Sequence, residues 1–339
     1  MAHRVRIYDR GGIGLADIRV TPECSWVIND EGEGEFDIVV TDENCREDYL
    51  RFGNWLLFEF DNLEPWVGMI DEPQEWRRRY VRVRAYTPDR QLFYRAVPRQ
   101  LMLSGKSGNI FKKVINLCNN AEPTIIEIGD TWAGGPTLPK ENMSGDNLQR
   151  YVLELAKRAH AEWSFTPVPS SGRLTIKANW HKQQGIETNF PLEESFNLAD
   201  DNHTLRRQNK VFNELWGYGG GVDQIDKPTA IFSDAESEAT YGLRQGTYTY
   251  SDYSTQGSIK RALQNRINQT KDPINTYKLS ALDISNTFSM IRQGNIHPLR
   301  MWSVGFGIRT NVRVMGMYHN PYRGRLELTL KEMTNDSTE

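Results

Sequence analysis

Hydrophobic and polar positions alternate with a period of two through the first hundred residues, the spacing of a strand with one buried face. Arg4-Val5-Arg6-Ile7-Tyr8 alternates before a Gly11-Gly12 turn, and Glu35-Phe36-Asp37-Ile38-Val39-Val40 opens in the same way. Further strands are expected at Trp55–Phe60, Trp66–Ile70 and Tyr80–Tyr86. In the last of these, Val81, Val83 and Ala85 share one face while Arg82, Arg84 and Tyr86 share the other. Asn62, Pro65, Pro73 and Pro88-Asp89 mark turns between them. The acidic segment Asp42–Leu50 is expected to form a short helix over one end. Residues 1–98 thus read as an antiparallel barrel or sandwich.

From about residue 99 the period lengthens. Ser107–Asn119 places Ile110, Val114, Leu117 and Cys118 on one helical face, with Ser107 as the expected N-cap. Ser144–Trp163 carries the strongest stripe of the chain: Leu148, Tyr151, Val152, Leu155, Ala156, Ala159 and Trp163. Strand-like pieces lie at Thr124–Ile128, Ser164–Thr166 and Leu174–Lys177, the last two joined as a hairpin by Pro167, Pro169 and Ser170-Ser171-Gly172. Residues 99–190 therefore read as a small α+β insertion. Over 191–332 the strands return. Lys210–Trp216 is expected to run into a turn at Gly217–Gly221, and Arg244–Tyr250 alternates. One helix is expected over Thr255–Gln269, and Asn311–Met317 with Arg325–Lys331 closes the segment as a hairpin. Residues 333–339 form a polar tail. Val81-Arg82-Val83-Arg84 and Val312-Arg313-Val314-Met315 resemble each other, as related β domains flanking an insertion would.

Composition narrows the class. Aromatic residues make up 11% of the chain, with 27 Gly and 15 Pro, a mixture suited to short strands and tight turns. Lys plus Arg is 41 against 44 Asp plus Glu, a net charge of −3, so no overall basic footprint for nucleic acid is present. The longest apolar run, Trp55-Leu56-Leu57-Phe58, is far below the ~20 residues of a membrane span. The first residues read as a strand without the apolar core of a signal peptide. Cys24, Cys45 and Cys118 fit neither a disulfide framework nor a zinc site, so reduced thiols in a cytoplasm are expected.

The motifs that carry chemistry are broken. Gly105-Lys106-Ser107 ends like a phosphate-cradling loop, but Gln100 stands where its first glycine is needed. Gly12-Ile13-Gly14 has Asp17 in place of a third glycine and leads toward another strand. His3, His160, His181, His203, His297 and His319 include no pair within five residues and read as scattered surface histidines. Asp71-Glu72 and Glu193-Glu194 are neighbours that a strand would turn to opposite faces. The basic run Trp76–Arg84 reads as a solvated strand face, ahead of a subunit contact or a nucleic-acid surface. Four Asn-x-Ser/Thr triplets, at Asn142, Asn202, Asn268 and Asn335, bear only on a secreted protein. No catalytic residue, metal or cofactor is expected.

Two sets of residues resemble the baseplate-hub and tail-associated protein family of tailed bacteriophages. The first is Trp66-Val67-Gly68-Met69-Ile70, of the type Trp-x-Gly-x-Ile, followed by Val81–Tyr86. The second is Asn209-Lys210-Val211 opening a strand, then an acidic stretch, Tyr241-Gly242, a helix, Pro273 and a closing hairpin. The motif residues are Trp66, Gly68, Ile70, Asn209, Val211, Tyr241 and Gly242. The resemblance implies a mainly β chain with an α+β insertion and two related tube-like β-barrel domains, 1–98 and 191–332. It implies a structural virion protein: a homotrimeric hub at the tail tip or baseplate, assembled in the host cytoplasm. Its partners would be a tail tube or distal tail protein and a spike or central fibre protein, with DNA passing through its channel at genome ejection. No cell-wall lysin or peptidase domain is expected after residue 332. Two other readings stay open: a β-rich polysaccharide-degrading enzyme, and a receptor- or carbohydrate-binding module of a tail. An enzyme would bring distant acids such as Asp71 and Glu193 into one aromatic cleft.

Overall fold

The computed structural model describes residues 3–18, 24–28, 34–41, 46–60, 62–77, 80–97, 102–142, 147–199, 203–207, 211–220, 227–250, 255–302, 307–320 and 322–333. It is mainly β, with an α+β segment in the middle of the sequence. The chain divides into two compact units, one of residues 1–203 and 278–330, the other of 204–277 and 331–339.

The first unit is organised by one long, largely antiparallel sheet. Gly14–Ile18 pairs with His3–Tyr8, and the sheet continues through Trp55–Phe60, Trp66–Arg77, Tyr80–Tyr86, Gly34–Thr41 and Ser25–Ile28. It then passes to Ile308–Asn320 and Arg325–Glu332 from the far end of the sequence. The 13-residue strand Ile308–Asn320 serves two neighbours: its start pairs with Ile296–Met301 and its end with Ser25–Ile28. The two expected barrels are therefore not separate closed tubes. Among the described residues no barrel closes, because the C-terminal strands hydrogen-bond to N-terminal strands and merge into one open path.

The period-two reading holds strand by strand. Ile70 lies opposite Ala85, which lies opposite Phe36, and Val83 lies opposite Ile38, all fully buried. The other face of these strands is charged, and Arg82 pairs there with Asp37 of the neighbouring strand. Trp55–Phe60 is buried on both faces, which explains its unbroken apolar run. Trp55 and Leu57, with Val67, Met69 and Tyr8, pack on the middle segment, while Phe58 and Trp66 face the opposite side.

That middle segment holds two helices, Ser107–Ala121 and Leu148–Ala159, and a three-stranded sheet. Glu162–Ser170 and Arg173–His181 form the expected hairpin, turned by Ser171 and Gly172 at positive φ, and Ile126–Thr131 adds in parallel. Phe111 stacks on Trp180 at 5.0 Å between helix and sheet. Several local expectations give way. Ser107 is the first helical residue, with Lys106 at the cap and no side-chain cap bond. The second helix is shorter than expected: Asn147 caps it by accepting from the Arg150 N–H, and left-handed His160 ends it. Trp163 consequently belongs to a strand, its burial having mimicked helical spacing. Glu47–Tyr49 forms a turn instead of a helix, and Asp42–Cys45 lie outside the described residues.

In the second unit Glu214–Gly219 is the central strand, antiparallel to Thr229–Ser233 and parallel to Gln245–Tyr250. Helix Gln256–Thr270 covers one face with Ile259, Leu263 and Ile267 against Leu215 and Ala230. Gly217 and Gly219 are strand residues, not the expected turn, and Gly221 lies outside the described residues. The reason is packing: a Cβ on Gly217 would stand 2.4 Å from Ile259 Cγ2. No helix among the described residues is long and apolar enough to cross a membrane.

Two substitutions in this unit should move stability in opposite directions. Gly217→Ala forces the strand away from the helix and should destabilise by about 1–3 kcal/mol, as overpacking does. Gly257→Ala, in the first turn of the same helix with open space around it, should stabilise by up to ~1 kcal/mol through helix propensity. Urea unfolding of both variants checks the pair.

Candidate functional site

The Trp-x-Gly-x-Ile motif is a packing device. Trp66, Gly68 and Ile70 alternate along one strand and so share its face, where Trp66 is 2% and Ile70 0% exposed. The Trp66 indole lies along the strand over Gly68, at whose position a Cβ would stand 2.3 Å from the ring and 2.6 Å from the Tyr86 carbonyl. Phe36 stacks on the same indole at 5.1 Å. The motif ends in main-chain anchorage: the Ile70 N–H donates to the Asn54 carbonyl (2.7 Å) and the Ile70 carbonyl accepts from Gly53 (2.9 Å).

The second motif is organised by a residue not singled out from the sequence. Asn213, fully buried, donates to the Gly242 carbonyl (2.7 Å) and accepts from the Arg244 N–H (2.7 Å). It thereby holds the turn after helix Ala235–Tyr241, whose N-terminus Asp234 caps by accepting from Ser237 (2.9 Å). Gly242 follows the helix at φ +74°, a value that disfavours any side chain. Val211 is buried and Tyr241 half-buried. Asn209 lies outside the described residues. Trp66, Gly68 and Ile70 thus belong to one unit, and Val211, Tyr241 and Gly242 to the other.

The acids weighed for catalysis have separate partners. Asp71 binds Arg90 (2.5 Å) and accepts from the Tyr94 hydroxyl, and Arg90 lies over the Phe93 ring. Glu193 faces Arg300 at 3.5 Å. Among the described residues no three His, Cys, Asp or Glu side chains group as metal ligands.

The histidines are not all superficial. His319 is fully buried among Trp26, Phe58, Phe60 and Phe288. His297 is fully buried with Nδ1 3.0 Å from the Phe190 carbonyl and 2.9 Å from the Thr188 hydroxyl. Its Nε2 has no acceptor among the described residues. The neutral ring fits this site, donating from Nδ1, and burial pushes its pKa below the ordinary value, partly offset by the Phe190 carbonyl. The same burial lowers His181. Cys24 and Cys118 are buried free thiols whose pKa values burial raises, so they are poor nucleophiles.

Two outcomes follow from these contacts. Asn213→Ala should cost about 2–3 kcal/mol, since it strands a buried N–H and a buried carbonyl; urea unfolding and faster hydrogen exchange at Arg244 would register it. For His297 the unfolded chain takes up a proton that the folded chain resists, so stability falls as pH drops below about 6.5 and levels off only below the depressed folded value. His297→Gln should flatten part of that slope in urea midpoints measured against pH, leaving the His181 contribution.

The architecture has known counterparts along its whole length. A prophage 43 kDa tail protein from Shewanella oneidensis (MuSo2) superimposes with a TM-score of 0.67 at 11% identity, over 99% of this chain and 100% of that one. The tail protein from Neisseria meningitidis MC58 gives 0.67 at 14% identity, over 98% and 97%. The Escherichia coli c3393 protein, described as a type VI secretion component with structural similarity to T4 tail proteins gp27 and gp5, gives 0.54 at 10% identity, over 94% and 74%. No curated protein matches in sequence. Residues 187–337 match the model of the family described as prophage endopeptidase tail. The resemblance seen in the residues is thus matched in three dimensions: this chain has the fold of phage tail proteins, and its C-terminal segment matches a prophage tail family.

Proposed function

We propose that this chain is a structural virion protein, the homotrimeric hub at a phage tail tip or baseplate. The observation that carries the reading is its likeness in fold to tail proteins, which runs over 98–99% of its length. In this reading residues 1–98 and 191–332 are two related tube-like halves whose strands join in one sheet, 99–190 is the insertion between them, and 333–339 a tail. Three chains then offer six such domains to a sixfold tail tube or distal tail protein, and a threefold end to a spike or central fibre. Cyclic closure is the ordinary solution for a repeated head-to-tail contact. DNA would cross the ring axis at genome delivery. The motif residues Trp66, Gly68, Ile70, Val211, Tyr241 and Gly242 act by fixing strand and turn geometry.

Catalysis has no part in this proposal. The word endopeptidase belongs to the description of the matched family, and Asp71 and Glu193 are already engaged by arginines. Purified protein should leave peptidoglycan and peptide substrates intact; turnover abolished by replacing one carboxylate would favour the enzyme. Reconstruction of the particle should place three 39.1 kDa chains on the tail axis. Six copies in one ring would indicate a tube or distal-tail protein, and an off-axis position a receptor binder.

A further inference from the structure

The second unit keeps its charges apart by sign on two helices. Helix Gln256–Thr270 carries Lys260, Arg261 and Arg266 and no acid. Helix Ala235–Tyr241 carries Glu236 and Glu238 and no base. All five side chains are exposed, and among the described residues none forms an ion pair. Arg261 reaches the Gly257 carbonyl, and Arg266 lies over the Tyr248 ring at 4.5 Å. The two sets are held too far apart to meet within one chain. Asp234, which caps the acidic helix, binds Lys271 just past the end of the basic one (3.4 Å), and the Ser237 hydroxyl donates to the Lys271 carbonyl (2.5 Å). Lys260 stands eleven residues before Lys271, about 16 Å along the helix axis.

The acids have a local reason for their place, since the N-terminus of their own helix favours negative charge. Lys260 and Arg261 have none. They stand in the N-terminal half of their helix, the end at which its dipole opposes positive charge. Their face therefore asks for an acidic partner. A small anion finds no enclosure on the convex side of a helix. Duplex DNA would meet three cations, enough for few phosphates, on a chain whose net charge is −3. A protein surface that presents carboxylates fits better, and this chain carries one. Glu236 and Glu238 project from a helix whose two ends are fixed, by Asp234 at its start and by the Asn213 clamp on Gly242 after it.

We propose that the basic face of Gln256–Thr270 receives the acidic helix Ala235–Tyr241 of a second copy of this chain, with Glu236 and Glu238 pairing with Lys260 and Arg261. The inference rests on the homotrimeric reading and gives it a contact. Each copy hands its acidic helix to one neighbour and takes the other neighbour's on its basic helix, the head-to-tail pattern that closes into a ring. Charge pairs of this kind decide which surfaces meet more than how tightly they hold. Their part is to orient one copy against the next.

The test uses the whole chain. Equal parts of isotopically light and heavy protein are treated with a water-soluble carbodiimide, which joins a carboxylate to an amine in direct contact. Mass spectrometry of the digest should find Glu236 or Glu238 joined to Lys260 in peptides that pair one light and one heavy chain. Sedimentation velocity should show self-association that weakens as salt rises. It should fall about tenfold or more in Lys260→Glu/Arg261→Glu, which sets like charges against each other. Glu236→Gln/Glu238→Gln should weaken it as well, and adding Glu236→Lys/Glu238→Lys to the first variant should restore it; circular dichroism checks each fold. Monomers at low salt with no light–heavy cross-link would overturn the contact. So would a folded, doubly reversed chain that stays apart, or a basic face that binds a duplex DNA oligonucleotide while the chain stays monomeric. A trimer indifferent to Lys260→Glu/Arg261→Glu would sink this inference and leave the hub. Light–heavy pairs in a protein that reconstruction places off the tail axis would sink the hub alone.

Discussion

Everything in the larger unit hangs on one short antiparallel contact: Met317, Tyr318 and His319 in register with Ile28, Val27 and Trp26. It joins strands nearly three hundred residues apart in sequence and makes a single sheet out of what would otherwise be two. The loop-closure entropy of such a contact must be offset by what it buries. The partners show how: His319 and Trp26 stand 5.8 Å apart, and Phe58, Phe60 and Phe288 close around the same imidazole. Aromatic rings provide the apolar area, while strand pairing provides the direction.

That same contact marks where sequence reading stopped. Local alternation identified Val81–Ala85, Phe36–Val40 and Val312–Val314 as strands because each needs only its own neighbours to declare a buried face. Which strand lies beside which is not written in period two. Ser25–Ile28 carries only four residues, and nothing in them names Met317–His319 as their partner. Two alternating segments flanking an insertion therefore read as two barrels, although the structure merges their strands. Helix ends failed for a related reason: Trp163 continues the helical stripe in number but packs from a strand, after His160 has reversed the chain.

The motif residues were legible in kind but not in mechanism. Trp66, Gly68 and Ile70 stand two apart, which already places them on one face of a strand. That the glycine exists to receive the indole requires coordinates. Asn213 was harder still. Inside the expected strand Lys210–Trp216 it reads as one more strand residue, and only its burial and its reach to residues 242 and 244 reveal a clamp.

Charge is distributed in this chain as in a part that must hold its shape. Arg82 with Asp37, Arg90 with Asp71, Arg6 with Glu59 and Arg313 with Glu162 pair across strands or segments instead of gathering around a pocket. Partly exposed pairs of this sort contribute little stability each. They do penalise any slip of register, because a shift of one residue would move every arginine to the apolar face. In this chain charge is spread along the sheet and used to hold strands in place.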